Sequence, residues 1–130
     1  SPFVGCSFSP EGDKIVIASP GRMVQVISLT EKDEKGNPMV LDEYKAGGWV
    51  LATNFSPEKD KIVIGTSNGI VQVISLTEKD ENQNPKVLAE YQAESSVQRV
   101  SFSPEGDKII IGLDNGIVQV LGSKEFIIQL

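Results

Sequence analysis

An all-β fold built from repeated units is predicted by three features. These are a strict internal period, short β-branched runs set between turn residues, and no helical periodicity over even two turns. Phe8-Ser9-Pro10-Glu11-Gly12-Asp13-Lys14-Ile15 returns, with one change, at residues 55–62 and intact at 102–109, a step of 47 each time (8, 55, 102). Between residues 8–45 and 55–92, 26 of 38 aligned positions are identical, so the two stretches occupy equivalent environments. Recent duplication and deliberate design both leave such a signature. A period of this length marks a propeller blade or a solenoid unit, which cannot bury its apolar face alone. The expectation is an all-β chain of β-propeller blades, each a four-stranded antiparallel meander, three blades per chain, divided as 1–46, 47–93 and 94–130.

The middle unit supplies the elements in order. Residues 50–55 read as a first strand, stopped by a turn at 56–60 because Pro57 cannot donate to a ladder. Residues 61–65 form the second strand, and Ser67-Asn68-Gly69 closes a tight hairpin, since Asn-Gly tolerates positive φ. Residues 70–76 make a third strand whose weak alternation suits a strand covered on both faces. A charged loop is expected over 77–85, then an outer strand over 86–91. The first unit repeats this pattern at 23–29 and 40–44. In the third unit 117–121 is the third strand, but Gly122-Ser123-Lys124 replaces the charged loop. Pairing Val87-Leu88 with Ile127-Ile128 gives a step of 40, hence a connection seven residues shorter and a surviving fourth strand.

Composition excludes several classes of function. The 130 residues are 39% hydrophobic, enough for a core, with 12 Lys and Arg among 18 Asp and Glu, a net charge of −6 and no histidine. An acidic chain without a basic face does not suit a polyanion, so nucleic acid is not an expected partner. No apolar run approaches a membrane span and the start does not resemble a signal peptide, so no membrane is expected either. The first residue is not methionine, which suits a trimmed, processed or excised piece. The single Cys6 cannot form an internal disulfide. Its equivalents Thr53 and Val100 mark a packing position, so it is expected to be buried. A reducing, cytoplasmic setting follows for a natural protein.

Val97, Val100, Phe102-Ser103-Pro104-Glu105-Gly106, Ile109, Gly112 and Asp114-Asn115-Gly116 resemble the blade of the WD-repeat β-propeller family, and the resemblance covers essentially the whole chain. The family's Trp-Asp pair is replaced by Ile27-Ser28, Ile74-Ser75 and Leu121-Gly122, and its Gly-His pair is absent. The buried His–Ser/Thr–Trp–Asp network of that family cannot form, so blades are expected to rely on apolar packing and backbone ladders. The resemblance implies a rim shared by the inter-blade linker and the second-to-third-strand hairpin. That rim makes Trp49, Asn68 and Asn115 candidate contacts. Arg99 is a fourth candidate, because a large cation stands where the other units have Gly5 and Ala52 and could face the central channel or an anion.

No catalytic constellation is present: without histidine there is no Ser-His or Cys-His pair and no imidazole ligand. Residues 31–34 and 78–81 lack the spacing of a calcium loop, and Gly47-Gly48 lacks that of a phosphate loop. Asn54-Phe55-Ser56 formally matches a glycosylation acceptor but ends a strand before Pro57. The expected protein is not an enzyme, and carries no cofactor and no metal. Three blades leave two end faces bare, whereas rings typically hold four to eight blades. Self-association is therefore expected, as a homodimer closing six blades or a homotrimer of nine. The alternatives are an excised scaffold binding a protein or peptide on its rim, and a lectin-like propeller.

Overall fold

A computed structural model describes residues 5–19, 22–122 and 126–129, with Ser19 and 126–129 described by backbone alone. The described residues form strands and turns, with no helix. The strands are β1 (Cys6–Phe8), β2 (Lys14–Ser19), β3 (Met23–Lys32), β4 (Pro38–Lys45), β5 (Val50–Phe55), β6 (Lys61–Thr66), β7 (Ile70–Lys79), β8 (Pro85–Gln92), β9 (Val97–Phe102), β10 (Ile109–Leu113), β11 (Ile117–Leu121) and β12 (Phe126–Gln129). They make three four-stranded antiparallel sheets, each in sequential order: β1–β4, β5–β8 and β9–β12, here sheets 1, 2 and 3.

The recurring Ser-Pro-Glu turn joins the first two strands of each sheet by one local device. The Ser9 hydroxyl donates to Asp13 and accepts from the Lys14 amide, while the Ser9 amide donates to the Lys14 carbonyl. Ser56 with Asp60 and Lys61, and Ser103 with Asp107 and Lys108, repeat it. The turn requires a positive φ at its fourth position, met by Gly12 (75°), Lys59 (69°) and Gly106 (79°). Hydrogen bonds from Ser9 and Lys14 hold the Asp13 carboxyl below its ordinary 3.8, and those from Lys108 and Ser103 do the same for Asp107. At Asp60 partial desolvation acts upward but is outweighed by Lys61 and Ser56, so its net shift is also downward.

Alternation along the strands places an apolar set on each face of sheet 2. Phe55, Ile62, Ile64 and Ile74 pack against Val16, Ala18, Val24 and Val26 of sheet 1. Ala52, Val63, Val71 and Val73 pack against Val97, Val100 and Ile111 of sheet 3. Residues 71–75 of β7 are therefore buried without interruption, whereas β3 alternates because only one face of sheet 1 is covered. The first strands sit closest, β5 lying against both β1 and β9, while the outer strands β4 and β8 barely meet. The sheets thus splay from first strand to fourth. Gly65 permits the close approach, since a Cβ there would overlap the Val97 side chain.

Three expectations are corrected. The charged loop shrinks to residues 80–84, because β7 continues to Lys79 and β8 begins at Pro85. The Asp80 side chain closes this turn by accepting from the Asn82 and Asn84 amides. The step of 40 is replaced by 37: Ile127 pairs with Gln119 as Glu90 pairs with Gln72. Sixteen residues separate Val73 from its partner Ala89, but six separate Val120 from Phe126, so the connection is ten residues shorter. In sheet 2 a bulge at Val73/Ile74 and the long hairpin absorb those residues, whereas the β11–β12 ladder runs without a shift. Finally, Cys6 is exposed, although Thr53 and Val100 are buried at 6% and 7%. Its position is a packing position in the other two sheets, but among the described residues no sheet covers this face of sheet 1.

Two outcomes follow. Gly65→Ala should destabilise the chain by about 1–3 kcal/mol through overpacking against Val97, read by denaturant unfolding. Gly12→Ala, at φ 75° with nothing within 4 Å of the added Cβ, should cost about 1 kcal/mol from backbone conformation alone. Because Asp13, Asp60 and Asp107 have lowered pKa values, their contribution is present above the ordinary value of 3.8 and lost as pH falls through the lowered values. The thermal midpoint should fall on acidification below about pH 4, more steeply than in a triple Asp→Asn variant.

Candidate functional site

Two regions stand out as candidate sites, the rim formed by linkers and hairpins and the outer faces of sheets 1 and 3. At the rim, the Ser67 amide donates to the Trp49 carbonyl at 2.8 Å and the Asn68 side chain lies directly over Gly48. The Gly69 amide closes the hairpin onto Thr66, with only Gly69 at positive φ (87°). Trp49 is 49% exposed beside the exposed Asn68. One unit on, Asn115 donates to Glu94 at 3.1 Å and the Asp114 amide donates to the Ser96 carbonyl. Trp49 and Asn68 are thus brought together, and Asn115 holds the equivalent place in the next sheet.

Arg99 is placed elsewhere. It pairs with Gly112 in the β9–β10 ladder, is exposed, and its Nη1 donates to the Gln98 carbonyl at 2.8 Å. Its equivalents point toward the next sheet in the chain: Ala52 packs on sheet 3, and a Cβ on Gly5 would lie 3.3 Å from the Leu51 carbonyl. Arg99 therefore stands on the outer face of sheet 3.

That face and the outer face of sheet 1 are apolar and uncovered. Phe8 is 68% exposed where its equivalent Phe55 is 5% exposed. Ile110 is 46% exposed where Val63 is fully buried. Leu29 is 47% exposed, and Ile15, Ile17 and Ile27 are only half-buried where Ile62, Ile64 and Ile74 are covered. The residue types are the same or nearly so; what differs is the presence of a neighbouring sheet.

The covered junctions also carry a polar link that the sequence reading did not foresee. Tyr44 of β4 donates to Gln72 Oε1 at 3.1 Å, and Gln72 Nε2 donates to Glu90 at 2.6 Å. Burial is the main cause raising the Tyr44 pKa, which keeps its hydroxyl a neutral donor. Gln119 Nε2 bonds the Tyr91 hydroxyl at 2.8 Å across the next junction, and Gln25 donates to Glu43 within sheet 1. Side-chain hydrogen bonds therefore supplement apolar packing between sheets, correcting the expectation that ladders and packing act alone. The signal was present as Gln25, Gln72 and Gln119, one polar residue at the same place in three apolar strands, with Glu43-Tyr44 and Glu90-Tyr91 opposite. In sheet 3 the Glu register position is Ile127, and Gln119 Oε1 is buried without a partner.

Among the described residues, no three His, Cys, Asp or Glu stand together as a metal-holding group, and no helix is long and apolar enough to cross a membrane. Compared with known protein families and with curated proteins, the chain matches neither a family nor a relative.

Tyr44→Phe should cost about 1–3 kcal/mol, since it leaves the buried Gln72 Oε1 without a donor. Equilibrium unfolding of the variant and of Tyr44→Phe/Gln72→Leu checks this, the double variant recovering part of the loss.

Proposed function

We propose that the chain is a three-bladed segment of a WD-repeat-like β-propeller and that its function is assembly: two copies join to close a six-bladed ring. In this reading the outer face of sheet 3 of one copy takes the outer face of sheet 1 of the other. The observation that carries it is the contrast between Phe8 at 68% exposure and Phe55 at 5%, identical residues at the ends of the first strands of two sheets. The face that covers Phe55 is built from Val16, Ala18, Val24 and Val26. Sheet 3 offers the corresponding Ile110, Gly112, Val118 and Val120. The splay from first strand to fourth supports a radial arrangement of the sheets.

The magnitudes favour closure. If each bare face buries roughly 500 Å², one face contributes about 12 kcal/mol gross at about 25 cal/mol/Å², before association costs. Two junctions in a dimer would then bury roughly 2,000 Å², the size of a stable interface. Two copies complete six blades, within the usual range of rings, whereas three would make nine. The net charge of −6 opposes association only modestly, because the acidic groups are spread over exposed turns where salt screens them. The exposed Trp49 beside Asn68 favours a second reading, a protein or peptide bound on the rim of that ring.

Sedimentation equilibrium should give twice the chain mass at micromolar concentration. Phe8→Asp, which removes no contact of the buried core, should give a folded monomer with an unchanged circular dichroism spectrum. A stable wild-type monomer at that concentration, or a Phe8→Asp variant of unchanged mass, would overturn the assembly.

A further inference from the structure

The two junctions within the chain have the same walls but different contents. Between sheets 1 and 2 the outer part of the junction is walled by Val24, Val26, Tyr44, Ile62 and Ile74. Between sheets 2 and 3 the corresponding walls are Val71, Val73, Tyr91, Ile109 and Leu121, each 47 residues on. In the first junction Leu76 and Pro85, from the two arms of the β7–β8 hairpin, complete the wall, leaving a space of about 10 Å³. Pro85 is buried there, while its counterpart Pro38 in sheet 1 is exposed. Among the described residues the second junction has no such arms, and the β11–β12 connection is ten residues shorter. A cavity of about 430 Å³ stands in their place, extended by Leu88 and Phe102.

We infer that this cavity is a binding site for a small apolar molecule that carries no negative charge and bears a hydrogen-bond acceptor. Its volume falls within the roughly 300–1,000 Å³ of small-molecule sites, and its walls are mostly aliphatic and aromatic. The first junction shows what such walls accept, a branched aliphatic chain and a saturated ring. Of the charged groups on the wall, Lys61 pairs with Asp60 at 3.2 Å and Asp107 with Lys108 at 3.0 Å, while the Glu90 carboxylate accepts only from the Gln72 amide. An anionic ligand would lose hydration without gaining a free counter-charge and would face Glu90. Tyr91 is the polar handle. Its oxygen accepts from Gln119, leaving its own proton to donate, whereas the Tyr44 proton is committed to Gln72. The site lies between two sheets of one chain, so it does not depend on the proposed ring.

The test uses the full chain with labelled Ile, Leu and Val methyl groups, titrated with cyclohexylmethanol and, separately, with methylcyclohexane. The expected result is saturable shifts at Val71, Val73, Leu88, Ile109 and Leu121, while Ile15, Ile17 and Ile27 on the outer face of sheet 1 stay put. Tyr91→Phe should weaken the alcohol several-fold and leave the hydrocarbon unchanged. Replacing residues 122–125 by the sheet 2 connection, which restores the Leu and Pro, should weaken both probes at least tenfold while preserving the strand methyl pattern. Shifts spread equally over the outer face of sheet 1, or undiminished binding in the chain with the restored connection, would overturn the site. Neither result bears on ring closure, which is read separately from mass.

Discussion

A four-stranded sheet with apolar residues on both faces has to be covered on both, and most of what distinguishes one part of this chain from another comes from how far that is met. The backbone ladders run within each sheet, so the sheets do not need one another to form them. They need one another for their side chains. Sheet 2 is covered on both faces and holds Ile62, Val63 and Ile64 in succession at no more than 1% exposure. Sheets 1 and 3 carry similar apolar residues on both faces of their first three strands and have one cover each. The burial of apolar area drives packing whatever the chemistry of the residue beneath, so the same Phe is core in one unit and surface in another.

The polar residues follow that constraint. Gln72 can lie 8% exposed in the junction only because Tyr44 and Glu90 meet both ends of its amide. The link spans sheets because Tyr belongs to the fourth strand of one unit and Gln to the third strand of the next. In the third unit Ile127 and Ile128 hold the register positions of Glu90 and Tyr91, so the series stops there. In the proposed ring, Gln25 would meet no tyrosine across the junction between copies, making that junction more apolar than those inside the chain. Arg99, in place of Gly5 and Ala52, adds a second difference at the same boundary.

Much of the fold was legible because its causes are local. Pro10, Pro57 and Pro104 end the first strands, the Ser–Asp pairs close the turns, and Gly69 and Gly116 close the hairpins, all within a few residues of chain. The third unit was misread by register because its connection has no internal reference: Val87-Leu88 and Ile127-Ile128 look alike, but the bulge at Val73/Ile74 that offsets one ladder has no counterpart in the other. Cys6 was misread for a different reason. Its type suits a buried position, and its equivalents Thr53 and Val100 are buried, but among the described residues no sheet covers Cys6. Trp49, Asn68 and Asn115 became candidate contacts by analogy with a family blade, and the surroundings of Asn68 depend on Gly48, which admits its side chain.

The sequence by itself determined that this protein is all-β, that it comprises three units of four strands, and where the Ser–Asp turns and the Asn-Gly hairpins fall, because alternation, proline, glycine and the Ser–Asp turn act through neighbours along the chain. Only the tertiary structure decided which of the equivalent apolar faces are covered, how the Tyr–Gln–Glu link crosses between sheets, and that one junction is filled by Leu76 and Pro85 while the other, among the described residues, stays open. Those outcomes depend on contacts between residues tens of positions apart. The repeat makes such residues identical in type, and only packing makes them different in role.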